Sequence, residues 1–246
     1  MLADPAAQLQ LLTLADLDSE VARLRHAAQS LPQHKEIAAL AAQRKEISDA
    51  LISAGTEVDD LSVAVRRAES ELAPVKARLA RDETRIADGS VSDPKTLRGL
   101  TEEVEHLQRR IAELEDAELE LMEQVEEATQ RHTQLAAGKA EVETRLRALV
   151  AERDRAVAGL SAQAKQQLAK RPPLVAAVPD PLLRLYDKLT AKFGRGAARL
   201  ERGRCGGCQL QLTAADLDAY RRAPANEVLR CVECDRILVR TKESGL

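Results

Sequence analysis

The chain has 246 residues, with 37 Lys and Arg against 40 Asp and Glu, a formal net charge of −3, and only 1% aromatic residues. A composition this poor in aromatic side chains excludes a large compact core, while the 44% hydrophobic share excludes a disordered chain. The near-neutral balance also excludes attraction of a polyanion by overall charge alone. Abundant Ala, Leu, Glu and Arg are typical of long helices and coiled coils.

The first 20 residues carry acidic side chains and neither Lys nor Arg, unlike the basic start of a secretory signal. No apolar run approaches the roughly 18 to 20 residues that span a bilayer. We therefore expect a cytoplasmic protein without a membrane partner.

A heptad repeat of apolar residues begins at Ile37. Of the 15 positions on its two seams, 13 are apolar, which predicts a coiled-coil helix about 75 Å long. Residues 14–31 show the same spacing, and Pro32 predicts a break between the two stretches. The seam positions are Ile37, Arg44, Leu51, Val58, Val65, Leu72, Leu79 and Ile86, with Leu40, Ile47, Ala54, Leu61, Ala68, Val75 and Asp82.

The repeat stops at residues 88–94 and resumes beyond them. Gly89 and Ser90 suit a turn, Asp93 can cap a new helix, and Pro94 is tolerated at its first position. Two long helices joined by a short turn must run antiparallel, so we expect facing positions whose numbers sum to about 183. Eleven acidic residues in 101–127 oppose a basic stretch in 66–85, which favours this pairing. Pro74, inside the first arm, predicts a kink.

All four cysteines lie near the C-terminus, as Cys205-Gly206-Gly207-Cys208 and Cys231-Val232-Glu233-Cys234. Two residues between thiolates let one tight turn present both sulfurs to a metal, and two such turns complete a tetrahedron. We therefore predict one structural Zn²⁺ per chain. Disulfides are disfavoured in a reducing compartment. A thioredoxin-like redox function of one cysteine pair would leave the second Cys-x-x-Cys motif unexplained. An iron–sulfur cluster on the same thiolates stays open.

The surrounding tail fits a zinc ribbon. Candidate strands occupy 197–203, 209–212, 228–230 and 237–240, and Thr213 with Asp216 has the pattern of a capping box. The predicted fold is a long antiparallel coiled-coil hairpin, all α, with a small C-terminal α+β zinc ribbon. Its expected domains are the hairpin at 1–170, a proline-bounded linker at 171–180, and a short helix plus ribbon at 181–246.

The tail is basic although the chain is not. Residues 184–246 hold 13 Lys and Arg against 8 Asp and Glu, a net charge of +5. Such a patch on a zinc ribbon can bind phosphates, and we single out Arg195, Arg199, Arg202 and Arg204 as candidate nucleic-acid contacts. The alternative, equally weighted, is a solvated face that docks onto the acidic coiled coil.

Several motifs along the chain occur together in one known family. They are Ser92-Asp93-Pro94-Lys95, residues 114–123, Leu182 to Tyr186, Cys205 to Cys208 and Cys231 to Leu238. On these motifs the chain resembles, over nearly its whole length, a family of bacterial proteins that join a long helical hairpin to a C-terminal four-cysteine zinc ribbon, once grouped as a domain of unknown function. The resemblance implies an adaptor or nucleic-acid-binding protein without known catalysis, with the four cysteines as zinc ligands.

No phosphate-binding, dinucleotide-binding or nucleophile-elbow motif occurs in the sequence, so we expect no enzymatic activity and no small-molecule substrate. The expected function is a zinc-ribbon adaptor that binds RNA or DNA through its basic C-terminal domain. The alternative is a protein–protein scaffold or chaperone-like adaptor that acts through the hairpin. The expected partners are accordingly nucleic acid, protein or both.

Overall fold

The computed structural model describes all residues from 1 to 246. It contains six helices and four short strands, and the predicted hairpin with a small C-terminal ribbon is confirmed. The helices are α1 (Pro5–Gln29), α2 (Pro32–Ala87), α3 (Pro94–Leu168), α4 (Arg171–Ala176), α5 (Asp180–Phe193) and α6 (Ala214–Arg222). The strands are β1 (Ala197–Glu201), β2 (Arg204–Cys205), β3 (Leu229–Arg230) and β4 (Ile237–Arg240).

The chain divides into two compact units. The hairpin unit comprises Lys35–Leu149, and the ribbon unit comprises Met1–His34 together with Val150–Leu246. This division differs from the sequence-based boundaries at 170 and 180, because α1 and residues 150–168 of α3 belong to the same unit as the ribbon.

The hairpin unit consists of the antiparallel parts of α2 and α3. Ion pairs cross between the arms from Lys76 to Glu115 at 2.5 Å and from Arg78 to Glu103 at 2.8 Å. These two pairs give position sums of 191 and 181, so the predicted antiparallel register is correct to within about two helical turns. Asp82, the acidic seam position, is only 8% exposed and lies near the Arg78 and Arg85 guanidinium groups.

The tip between the arms follows the predicted capping chemistry. The Asp93 carboxylate accepts hydrogen bonds from the backbone N–H and the hydroxyl of Thr96, and α3 begins at Pro94. Gly89 has φ +67°, a conformation that a side chain would strain.

Two residues of the arms themselves were unusual in the sequence. His132 of α3 packs beside Gly55 of α2, and a Cβ added to Gly55 would lie 3.7 Å from the Nε2 atom of His132. Helix α2 continues through Pro74.

The ribbon unit contains a four-stranded sheet in the order β2-β1-β4-β3. β1 and β4 pair in parallel, while the two outer pairs are antiparallel. Both central strands are apolar where they cross the core, and Ala197, Leu200, Ile237 and Leu238 are fully buried. The sheet therefore has a core of its own, although each strand is only two to five residues long.

Helix α1 completes that core. Leu11, Leu14 and Ala15 are fully buried in one cluster with Tyr186 of α5 and Ile237 of β4. The sequence-based boundaries placed this helix in the hairpin domain at 1–170, but the apolar face of α1 packs on the ribbon. A 3–4 spacing specifies a buried helical face without specifying which surface covers it.

Two further corrections concern residues 171–181. The predicted linker contains α4, which packs on α1, and Leu174 and Val175 of α4 contact the core. Helix α5 begins at Asp180, one residue before the predicted boundary at 181, and Pro179 occupies the cap position without a side-chain hydrogen bond. Helix α5 ends at Phe193 and is followed by Gly194, which is left-handed with φ +76°.

None of the helices combines the length and the apolar composition needed to cross a bilayer.

We expect the α1 contact to be needed for ribbon stability. Leu11→Ala should cost about 2–5 kcal/mol of unfolding free energy, because it leaves a cavity at a fully buried position. Hydrogen exchange of the β1 and β4 amides should accelerate accordingly. Leu9→Ala is the matched control, since Leu9 lies on the same helix and is 49% exposed. Equal exchange in both variants would show that α1 is not part of the cooperative ribbon core.

Candidate functional site

The two cysteine pairs form two equivalent turns. After each pair one residue takes a left-handed conformation, Gln209 with φ +65° and Asp235 with φ +62°. The N–H of that residue donates to the carbonyl of the first cysteine of its pair, at 2.8 Å in both turns. The first cysteine in turn donates its N–H to the carbonyl one residue further on, Leu210 or Arg236. Two copies of one backbone turn therefore face each other.

The four sulfurs converge. All four Sγ atoms lie within 4.8 Å of one another, with Cys205 to Cys234 at 3.8 Å and Cys208 to Cys231 at 3.9 Å. Tetrahedral zinc with Zn–S bonds of about 2.3 Å requires sulfurs about 3.8 Å apart. The donor set and its spacing therefore fit one structural zinc, held by Cys205, Cys208, Cys231 and Cys234.

Glycine at 207 allows the first turn to pack closely. The Gly207 N–H points at Cys205 Sγ at 3.4 Å, as expected for a backbone amide near a metal-binding sulfur. A Cβ on Gly207 would lie 2.8 Å from Arg236 Cδ and 3.3 Å from Ala198 Cβ. The residue is therefore needed for close approach to β1 and to the second turn, and its backbone φ is not in the left-handed region.

The protein environment sets the ionisation of the thiols. Burial raises the pKa of Cys205, and it raises the pKa of Cys231 to about 12. Burial also opposes ionisation of Cys234, but hydrogen bonds from the Arg236 backbone and side chain, together with those from the Cys231 and Cys208 thiols, outweigh it and lower the pKa of Cys234 to about 7. A metal that binds here must displace protons from the buried thiols.

The arginine face, which we define as Arg195, Arg199, Arg202 and Arg204, lies beside the first cysteine turn. All four side chains line one open cavity of about 630 Å³. The other lining residues are Asp16, Glu201, Gly206, Gln209, Gln211 and Glu243. The structure thus brings together all four arginines that the sequence singled out.

Asp16 of α1 holds two of these arginines. Its carboxylate accepts hydrogen bonds from Arg195 Nη2 and Arg199 Nη2, both at 2.6 Å. Nothing in the sequence pattern marked Asp16, because it is 179 residues from Arg195. Asp16 belongs to α1 of the ribbon unit and not to the acidic coiled coil, so these ion pairs are not the docking that the sequence suggested, and Arg202 and Arg204 make no ion pair.

Other residues that the sequence did not mark stabilise the ribbon. Asp18 accepts hydrogen bonds from Arg171 and from the Tyr186 hydroxyl. The Arg240 guanidinium donates to four backbone carbonyls, two of them at the C-terminal end of α6, where a positive charge is favourable. Arg236 donates to the carbonyls of Phe193 and Arg195 and lies over the Phe193 ring.

Two family descriptions match the chain. Residues 14–194 match the CT398-like coiled coil hairpin domain, and residues 204–238 match the C4-type zinc ribbon domain. The chain belongs to the CT398-like family. This membership confirms the resemblance inferred from the sequence.

Relatives of this family cover nearly the full chain. An uncharacterized Mycobacterium tuberculosis protein, Rv2229c, is 35% identical over 98% of each chain, and an uncharacterized Mycobacterium leprae protein, ML1638, is 28% identical over 91% of this chain and 96% of its own. A Mycobacterium smegmatis structure has TM-score 0.85 at 34% identity, covering 98% of this chain and 100% of its own. CT398 from Chlamydia trachomatis has TM-score 0.71 at 19% identity, covering 96% and 98%, a likeness of fold.

We expect Cys234→Ser to unfold the ribbon and leave the hairpin helical. Removing one of four thiolates opens the zinc site, and a small domain draws much of its folding energy from the metal. Bound zinc should fall from one per chain, and amide protection in β1 and β4 should be lost, while far-UV circular dichroism keeps most of its helical signal.

Val232→Ser is the matched control for this experiment, because Val232 lies between the second pair of cysteines and is 58% exposed. It should retain one zinc per chain and normal amide protection. Wild-type zinc content and protection in Cys234→Ser would contradict the four-thiolate site.

Proposed function

We propose that this protein is a non-enzymatic zinc-ribbon adaptor whose arginine face binds the phosphate backbone of nucleic acid. The observation that supports the proposal is the convergence of the four arginines on one cavity. They come from different local structures: Arg195 follows α5, Arg199 lies on β1, Arg202 lies in the turn after it, and Arg204 lies on β2.

The charges of the cavity favour an anion of moderate charge density. Four arginines line it against the three acidic residues Asp16, Glu201 and Glu243, an excess of one positive charge. Because Arg202 and Arg204 are exposed and make no ion pair, their guanidinium groups are available to phosphate oxygens. Arginine suits this role because its planar fork can donate two parallel hydrogen bonds to a phosphate.

The position of the aromatic residues supports backbone contact rather than base stacking. Tyr186 and Tyr220 are 1% and 8% exposed, and Phe193 is covered by Lys192 and Arg236. Modules that bind single strands by stacking present exposed aromatic rings. The proposed binding therefore depends on phosphates and carries little sequence preference.

The cavity lining also supports a binding role over a catalytic one. It contains arginine, carboxylate, glycine and glutamine residues, and no histidine, cysteine, serine or threonine. The cysteines nearby are committed to the metal, where four thiolates leave no open coordination position. The proposed activity is therefore binding without turnover.

The double variant Arg202→Glu/Arg204→Glu tests the proposal. We expect at least about a tenfold loss of affinity for RNA and DNA oligonucleotides, and a salt dependence reduced by about two units of slope, one for each lost phosphate contact. Fluorescence anisotropy over a series of salt concentrations measures both quantities.

Arg184→Glu/Lys188→Glu provides the matched control. Both residues are exposed on α5, make no ion pair and lie outside the cavity, so the change in net charge is identical. The control should retain most of the affinity. If both double variants keep wild-type affinity with zinc bound, or if the wild type binds neither RNA nor DNA, the proposal is wrong.

A further inference from the structure

A second surface lies in the hairpin unit, where a shallow groove of about 310 Å³ runs between α2 and α3. Ser62, Val65 and Arg66 line it from α2, and Met122 and Val125 line it from α3. Apart from Arg66 and the Ser62 hydroxyl, the lining is apolar, and that hydroxyl already donates to the Val58 carbonyl.

Exposed apolar side chains continue this groove along α3. Leu119 and Met122 are 56% and 51% exposed, and they lie one helical turn apart. Neither belongs to the coiled-coil seam, which here consists of Leu114, Glu118, Leu121 and Val125, all half-buried. Single exposed apolar residues are common, but two adjacent ones that continue an apolar groove form a candidate interface. We call Leu119, Met122 and the groove the α3 strip.

Unpaired carboxylates border the α3 strip. Asp116 and Glu123 lie three residues before and four residues after Leu119, and Glu126 lies four residues after Met122. All three are exposed and make no ion pair, whereas nearby Glu115 pairs with Lys76. Residues at these spacings are neighbours on a helix surface. The α3 side of the strip is therefore apolar with an acidic border.

We propose that the α3 strip binds a basic amphipathic helix of a partner protein. Apolar anchors of that helix, three and four residues apart, would enter the groove, while its Lys and Arg residues would lie over the acidic border. Arg66 lines the opposite side, so the cations of the partner must lie toward α3. This inference concerns a surface in a different unit from the arginine face and does not rest on the nucleic-acid proposal.

The acidic border favours a basic helix over two other possible partners, a second copy of this chain and an anionic lipid surface. A second copy that paired its α3 strip with this one would bring carboxylates against carboxylates, a costly arrangement. An anionic lipid surface would be repelled for the same reason. A basic helix gains from the same charges, mostly in association rate and in choice of partner, while the apolar anchors supply affinity. Met122 adds a flexible contact that adapts to different anchors.

A synthetic peptide of 18 residues, with Leu on one helical face and Lys on the other, serves as the probe against the full-length chain. A scrambled peptide of identical composition, without an apolar face, tests whether charge alone suffices. We expect Leu119→Ser/Met122→Ser to weaken binding of the amphipathic peptide at least tenfold, while Ile52→Ser, a control at a 70% exposed apolar position, changes it less than twofold.

The acidic border has its own test. Asp116→Lys/Glu123→Lys/Glu126→Lys should weaken peptide binding at least tenfold and reduce its dependence on salt. Glu36→Lys/Glu46→Lys/Asp60→Lys is the control, since these carboxylates are exposed on α2, make no ion pair and lie neither in the groove nor three or four residues from a residue that lines it. Circular dichroism verifies that each variant keeps the helical signal of the wild type.

Four results would overturn the inference: no binding of the amphipathic peptide, equal binding by Leu119→Ser/Met122→Ser, equal binding of the scrambled peptide, or equal losses in the two charge-reversed variants. Self-association of the wild type that disappears in Leu119→Ser/Met122→Ser would also overturn it, because the occupant would then be a second copy. Light scattering over a range of concentrations detects that case.

Discussion

The ribbon unit depends on one constraint, which is that its sheet is too small to bury itself. Its strands are two to five residues long, so they expose most of their apolar surface unless other elements cover it. Helices α1 and α5 cover the part of the sheet nearest Ile237, and the four thiolates and α6 organise the part nearest Leu200. A metal site and a helix from the other end of the chain thus do what a larger core does in an ordinary domain.

This constraint explains why the fold was only partly predictable. The hairpin, its tip and its caps could be predicted, since heptads, Gly89 and Asp93 act through residues close in sequence. The zinc site could also be predicted, because the spacing within each cysteine pair determines the local turn. The position of α1 could not, because Leu11 and Leu14 meet Tyr186 and Ile237 only in the folded chain.

The candidate site divides in the same way. Four arginines in a ten-residue stretch are visible in the sequence, but their convergence and their partners are not. Asp16 lies 179 residues from Arg195, and it reduces the charge of the face while fixing two guanidinium groups in place. The tail at 184–246 has a net charge of +5, whereas the residues that line the cavity have a net charge of only +1. Local geometry, and not the total, governs what the face can attract.

The zinc site and the arginine face are physically connected through β1. Ala198 is fully buried, and its Cβ would lie 3.3 Å from a Cβ on Gly207, so it packs beneath the first cysteine turn. The next residue, Arg199, points to the cavity and pairs with Asp16. Its carbonyl accepts a hydrogen bond from the Gly206 N–H within that turn. Loss of the metal would loosen the turn, then β1, and so the spacing of the arginines. The proposed binding at the arginine face would therefore require zinc, although the metal does not line that face.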